Sequence, residues 1–156
     1  MSARGKVVIS QAKPADLNRL VVIENRCFRA HRFRRADFEY HLRNRSSILL
    51  VAEGSQEVVG YIAGIIYHGS KNRIAKLYSM GVLSNWRRKR VGSLMLQAFE
   101  KEAEKRKSRS ITLEVRRNNR SARAFYFEFG YEIEAVLKHY YSPGSDALRM
   151  RKDLRQ

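Results

Sequence analysis

The chain holds 156 residues, 44% of them hydrophobic and 10% aromatic, enough apolar material for one domain with a core and too much for wholesale disorder. Lys and Arg number 32 against 15 Asp and Glu, so the formal charge is +17 and the expected partners are anionic: nucleic acid, an acidic peptide or a phosphate-rich cofactor. No stretch approaches the roughly 18 apolar residues of a membrane span, and no apolar run follows the first charges as a secretory signal requires. A lone Cys27 and four His residues without an HxxxH pair argue against a disulfide framework and a metal enzyme. The expectation is a basic cytoplasmic protein, one domain over residues 1–156, with no metal and no membrane contact.

The β-branched run from Lys6 to Ser10 predicts a strand, and Pro14 with Asp16 behind it predicts a helix start. Leu17, Leu20, Val21, Glu24 and Phe28 keep helical spacing, with Glu24 the one polar interruption. A second, shorter helix over Arg35 to Asn44 buries Phe38 and Leu42. Two apolar runs, Ser47 to Glu53 and Val58 to Tyr67, flank Gly54-Ser55-Gln56 and read as an antiparallel hairpin. A strand over Ile74 to Leu83 leads into the basic run Arg87-Arg88-Lys89-Arg90, and from Val91 the residues Leu94, Met95, Ala98, Phe99 and Ala103 mark one face of a helix. Ile111, Leu113 and Val115 alternate with polar residues as a half-buried strand does. Ala122, Phe125, Tyr126 and Phe129 form a third helical stripe stopped by Gly130. Tyr131 to Leu137 and Asp146 to Asp153 are expected as final strands around a loop holding Tyr140, Tyr141, Pro143 and Gly144. This order predicts an α/β fold, a mixed sheet with helices on its faces.

The basic run sits where a strand ends and a helix opens, so unsatisfied backbone N–H groups, the helix dipole and four cations converge there. Such a place can seat a diphosphate, and it can equally be a solvated charge run or a localisation patch. The residues Arg87-Arg88-Lys89-Arg90-Val91-Gly92, the run Leu113-Glu114-Val115 to Asn119 and on to Phe125-Tyr126, the triplet Phe129-Gly130-Tyr131, and Tyr140-Tyr141-Ser142-Pro143-Gly144 resemble the GNAT superfamily of N-acetyltransferases, and within it the ribosomal-protein-alanine branch. The likeness spans most of the chain after about Ile48.

The resemblance implies a GNAT-like, mostly antiparallel sheet of about seven strands with helices on both faces, and acetyl-coenzyme A as cosubstrate. It implies that Ser79, Met80, Gly81 and Val82 run beside the pantetheine arm and offer it backbone hydrogen bonds, that Arg87, Arg88, Lys89, Arg90, Val91, Gly92 and Ser93 hold the pyrophosphate, and that Asn119 and Tyr126 also bind the cofactor. Glu114 matches the family's general base, Tyr126 its general acid, and Phe28, Arg29, Tyr140 and Tyr141 its acceptor contacts. Each has a plainer alternative: an ion pair with Arg116 or Arg117 for Glu114, core packing for Tyr126, a helix cap for Asn119. Arg90 stands where the family usually has Gly. Because Arg is disfavoured at positive φ, an ordinary negative φ is expected there. Lys76 replaces a His found in some members and is expected to have no catalytic role. The acceptor implied is the α-amino group of a protein or peptide, with a ribosomal protein in view. A lysine or small-amine acetyltransferase on the same fold is the alternative. A non-catalytic basic module that binds RNA or ribosomes is a third reading.

Overall fold

In the computed structural model, which describes residues 6–29, 32–142 and 144–154, the chain runs β1 (Val8–Gln11), α1 (Leu17–Cys27), α2 (Arg35–Arg43), β2 (Ser47–Gly54), β3 (Glu57–His68), β4 (Arg73–Val82), α3 (Val91–Lys105), β5 (Ser108–Arg116), α4 (Arg120–Glu128), β6 (Glu132–Ser142) and β7 (Ser145–Asp153). Short 3₁₀ turns at Pro14–Asp16 and Ser84–Trp86 lead into α1 and into the basic loop. The strands form one seven-stranded sheet in the order β1-β2-β3-β4-β5-β7-β6, antiparallel except where β4 meets β5. This is the predicted order of elements and the predicted mixed, mostly antiparallel sheet.

Strand alternation divides the helices between the two faces. A side chain at Gly60 would meet Met95 of α3, whereas the next residue, Tyr61, packs edge-on against Phe38 of α2 and bonds Glu24 of α1. Tyr61, Phe38, Phe99, Ile23 and Leu20 are fully buried on the two sides. No helix among the described residues is long and apolar enough to cross a membrane.

Two local details differ from the expectation. The hairpin turn is made by Ser55 and Gln56, both at positive φ (51° and 66°), while Gly54 already belongs to β2. Gly54 is required for another reason: a Cβ there would lie 2.5 Å from the Trp86 ring, so the buried indole lies directly against the Gly54 backbone and anchors the start of the basic loop. The loop expected around Tyr140 and Tyr141 is in fact strand. β6 continues to Ser142, with His139 at φ 55° inside a register break between Leu137 and Ser142, and β7 begins at Ser145. Pairing with β7 lapses between Leu137 and Ser142, and there the His139 N–H donates instead to Asp146 Oδ1 at 3.1 Å.

Candidate active site

β4 and β5 pair in parallel only from Arg73 to Lys76, and beyond the Lys76–Thr112 pair they part. Two features open them. β5 turns to β7, which it pairs as far as Arg116–Ala147. β4 carries a bulge, because its register with β3 passes from Leu77 to Ser79 and leaves Tyr78 unmatched. Bulges bend a strand and add twist, and this one bends β4 just past the last residue that holds it to β5. The wedge between the strands is a cavity of about 560 Å³, walled by Leu77 to Met80 of β4, Leu113 to Arg116 of β5, the start of α4, and Glu24 and Phe28 from the end of α1.

Two carboxylates face this cavity, and their surroundings are opposite. Glu114 on β5 has a side chain only 7% exposed, 2.8 Å from Lys76 Nζ and 3.1 Å from Arg149 Nε, and its Oε1 also accepts from the Tyr140 hydroxyl at 3.3 Å. Burial alone would raise its carboxyl, but the hydrogen bonds and charges of Lys76 and Arg149 outweigh it and hold the group below the usual range. Glu24 is 1% exposed and its partners are neutral: it accepts from the Tyr61 hydroxyl and, at 2.7 Å, from the Phe33 N–H. Burial dominates there and pushes the Glu24 carboxyl up despite those two bonds. The Tyr61 oxygen lies 2.6 Å from Ser79 Oγ, so a hydrogen-bonded chain runs from Glu24 back to the cavity wall.

Tyr126 stands on α4, 7% exposed, between Phe125 and Tyr131, and lines the same cavity. Burial raises its phenol well above the ordinary value, so it stays protonated at any physiological pH. Asn119 caps α4, its Oδ1 accepting from the Ala122 N–H at 3.1 Å, and it too lines the cavity, so the capping role and a free amide edge coexist in one side chain.

Phe125 separates this cavity from a second groove, of about 360 Å³, lined by Val82, Trp86, Arg87, Arg88, Arg90, Val91, Gly92 and Ser93. The N–H groups of Val91, Gly92 and Ser93 precede the first helical hydrogen bond of α3, which Leu94 makes to the Arg90 carbonyl. The basic loop thus lies on a helix N-terminus. Arg90, however, has φ 62°, and Arg88 61°, which corrects the expected negative φ. The chain must reverse between Trp86 and Val91 in four residues, and left-handed conformations at Arg88 and Arg90 accomplish that turn; the glycine usual at this position relieves a backbone constraint that Arg90 here tolerates.

Of the expected site residues, Glu114, Tyr126, Asn119, Met80 and Phe28 line the cavity, and Val82, Arg87, Arg88, Arg90, Val91, Gly92 and Ser93 line the groove. Lys89 and Arg29 line neither. Tyr140 reaches the site through Glu114, and the Tyr141 side chain lies outside the described residues. Gly81 also lines neither: a Cβ there would come within 3.2 Å of Tyr61, so its smallness serves the core and not an approaching ligand. Arg87 donates from Nε to the Val82 carbonyl at 3.0 Å, and Cys27 Sγ lies 3.4 Å from the same oxygen, which ties the loop to the end of β4. Glu114 pairs with Lys76 and Arg149, not with Arg116 or Arg117. Arg149, Glu24 and Tyr61 were not among the expected site residues; Ser79 was expected only for its backbone and Lys76 for no catalytic role. Glu24 alone left a trace in the sequence, as the polar break in an apolar stripe.

With this geometry in hand, likeness to known proteins can be weighed. Residues 17–131 match the acetyltransferase (GNAT) family. The chain is 32% identical over 155 residues to an N-alpha-acetyltransferase of Sulfurisphaera tokodaii, covering 94% of this chain and 92% of that one. Among solved structures it superposes on Ard1 from Thermoplasma volcanium with a TM-score of 0.85 at 28% identity, over 96% of this chain and 99% of that one. On the ribosomal-protein-alanine N-acetyltransferase from Brucella melitensis the TM-score is 0.80 at 26% identity, over 94% and 99%.

Proposed function

The chain belongs to the acetyltransferase (GNAT) family, and from that premise we propose that it moves an acetyl group from acetyl-coenzyme A to the N-terminal α-amino group of a protein. The observation that carries this reading is the union of two halves. A groove over a helix N-terminus ringed by Arg87, Arg88 and Arg90 opens beside a wedge walled by a carboxylate and a buried phenol. The groove's donor set, three free backbone N–H groups and guanidiniums, is the chemistry a diphosphate requires, so Val91, Gly92 and Ser93 with these arginines would hold it. The β5-facing edge of Met80 and Val82, unpaired beyond Lys76, would run beside the pantetheine arm, and the free amide edge of Asn119 would meet it. The bound cosubstrate supplies an activated acyl group on sulfur.

The protein's own part is to hold the amine, remove its proton and return one to the departing thiolate. An α-ammonium loses its proton near pH ~8, and only the neutral amine attacks. Glu114 is anionic throughout the physiological range, so it can orient the acceptor and take its proton through a water. As the nitrogen–carbon bond forms and the carbon–sulfur bond breaks, the thiolate gains a proton from the Tyr126 phenol. Phe28 and Tyr140 flank the acceptor's first residues, with Arg29 exposed beside them and Tyr141 next to Tyr140 in sequence. A second reading gives the proton to Glu24. It is favoured by one observation, that Glu24 is the cavity carboxylate with the raised affinity for protons.

Mass spectrometry of peptides carrying both a free N-terminus and an internal lysine, incubated with acetyl-coenzyme A, tests the proposal, with the N-terminus of a ribosomal protein among them. Mass gain at the N-terminus is the expected result. Gain at lysine alone would move the activity to side-chain amines, and no gain on any peptide would defeat the reading.

A further inference from the structure

A smaller, aromatic pocket lies beside the cavity, and we propose that it receives a lysine or arginine side chain from the third residue of the acceptor. This preference rests on the N-terminal acyl-transfer reading and names the acceptor class for it.

The pocket measures about 210 Å³ and is lined by Phe33, Asp37, Tyr40, His41, Ile65 and Tyr78. Tyr78, the bulged residue of β4, also lines the cavity, so the two spaces share a wall. Phe33 ties them a second time, because its N–H donates to Glu24 at 2.7 Å and fastens the connection before α2 to a cavity residue. The rings of Tyr78 and His41 lie 6.5 Å apart between centres, about two residues of extended chain at ~3.3 Å each. With the acceptor amine at Glu114, an extended peptide brings its third side chain to the pocket, on the same side as its first.

The lining selects the side chain. Four rings stand in different planes: Phe33 stacks on His41 at 5.4 Å, Tyr40 meets His41 edge-on at 5.9 Å, and Tyr78 is tilted to it. Tyr40 and Tyr78 are exposed, so ring surface is open to a ligand. Burial lowers the His41 imidazole against the pull of Asp37, which leaves that ring neutral at pH 7. Asp37 is then the one charge among the lining residues, in a chain whose net charge is +17. Its Oδ2 accepts the Arg34 N–H at 2.7 Å as a helix cap, and among the described residues it forms no ion pair. Lys76, 5.2 Å from the Tyr78 ring centre, is already held by Glu114 at 2.8 Å. An aliphatic or aromatic side chain seated here would strip water from Asp37 and return no bond, and an acidic one would meet its charge. A long cationic side chain lays its methylene stem on Ile65 and the rings and sets its charge between the aromatic faces and the carboxylate.

The test uses the full chain and peptides identical except for one residue: Lys, Arg, norleucine, Phe or Glu at position 3, and Lys moved in turn to positions 2, 4 and 5. Steady-state acetylation gives kcat and KM. Anisotropy of the same peptides, labelled at the C-terminus and titrated with coenzyme A present, gives Kd without turnover. Lys and Arg at position 3 should exceed norleucine by about tenfold in kcat/KM, through KM, because the side chain is bound alike before and during the reaction. Asp37→Asn keeps an oxygen for the Arg34 N–H, and with it the cap, but loses the charge. Its Lys-to-norleucine ratio should fall below about threefold, the share the rings alone supply. Asp37→Lys should favour Glu over Lys. Each ratio is internal to one variant, so a folding defect lowers both peptides alike and leaves it unmoved. Equal kcat/KM for Lys and norleucine in the wild type would overturn the proposal. So would a preference for Phe, a Lys optimum away from position 3, or a Lys preference intact in Asp37→Asn. Acetylation of no peptide would sink the acyl-transfer reading instead, and the Kd series would still decide what the pocket prefers.

Discussion

The two walls of the cavity solve the problem of a buried carboxylate in opposite ways. On the wall built by β5, β6 and β7, Glu114 is met by Lys76, Arg149 and Tyr140, each from a different strand, and it stays ionised. On the wall built by α1 and β4, Glu24 hydrogen-bonds to Tyr61 and a backbone N–H, and burial raises its proton affinity against those bonds and the more weakly acting charge of Arg32. Two like groups whose environments push them apart are the usual signature of divided proton roles. The difference teaches that position in the cavity does not assign a role to a carboxylate; the charge of its partners does. An anion locked by two cations is a good anchor for an ammonium, and a buried acid hydrogen-bonded only to neutral groups is the better proton store.

The largest effect should come from cutting one wall at a time. Glu114→Gln should lower kcat/KM for N-terminal acetylation by about 10²–10⁴-fold, as expected for loss of a general base, with cofactor affinity by calorimetry little changed. Glu24→Gln, assayed in parallel, should cost less than about tenfold if the base lies on the β5 wall. The reverse ranking would transfer the base to Glu24. Tyr126→Phe comes next. It removes the only hydroxyl proposed to protonate the thiolate, and turnover should fall on the order of tenfold, since water can substitute as the acid. Unchanged single-turnover rates in Tyr126→Phe would leave the ring as core packing between Phe125 and Tyr131 and nothing more.

Much of this was legible before the fold was seen, and the residues show why the rest was not. The order of elements, the α3 and α4 stripes and the basic loop before Val91 followed from periodicity and punctuation, which are local. Partners were not legible. The two cations on Glu114 come from 38 residues upstream in β4 and 35 downstream in β7, while the Arg residues next to it in sequence point elsewhere: Arg116 bonds Ser145 and Arg117 bonds Asp146. The parting of β4 and β5 depends on a bulge at Tyr78 that an ordinary strand pattern conceals. Glu24 was visible as an anomaly in a helix, but its meaning required Tyr61 from the neighbouring sheet.

A smaller effect probes the β5 wall through Lys76. Because Lys76 helps depress the Glu114 carboxyl, Lys76→Met should move the acid limb of the kcat/KM profile upward, toward the ordinary Glu value. Stability gives the same sign. A carboxylate depressed on folding stabilises the native state above its unfolded pKa, and that contribution disappears as pH falls through the folded pKa. Urea midpoints of wild type and Lys76→Met should therefore differ most near pH 7 and converge as pH falls below the ordinary Glu value of 4.5 and through the depressed value of the folded state. An equal gap at pH 7 and pH 3 would mean that Lys76 stabilises through its cation–π contact with Tyr78, whose ring centre lies 5.2 Å from Nζ, rather than through Glu114.

The smallest effect belongs to the other half of the site, the loop over α3. Arg90 holds φ 62°, ψ 16°, a left-handed conformation that disfavours any residue with a Cβ by about 1–2 kcal/mol. Glycine escapes that strain but brings extra freedom to the unfolded chain, worth up to ~1 kcal/mol in the opposite sense. The balance predicts that Arg90→Gly stabilises modestly, by about 0.5–1 kcal/mol, or some 1–4 °C in melting temperature for a chain of this size. Arg90→Ala keeps the Cβ and the strain, so its melting temperature should stay within about a degree of wild type. The two variants also separate backbone from side chain in cofactor binding, since both delete the guanidinium but only Gly relaxes the turn. If the N–H groups of Val91, Gly92 and Ser93 do the gripping, both should keep the acetyl-coenzyme A KM within about tenfold, or ~1.4 kcal/mol. A hundredfold loss in both would place the Arg90 guanidinium directly on a phosphate. A loss in Gly alone would show that the strained turn itself aims those N–H groups.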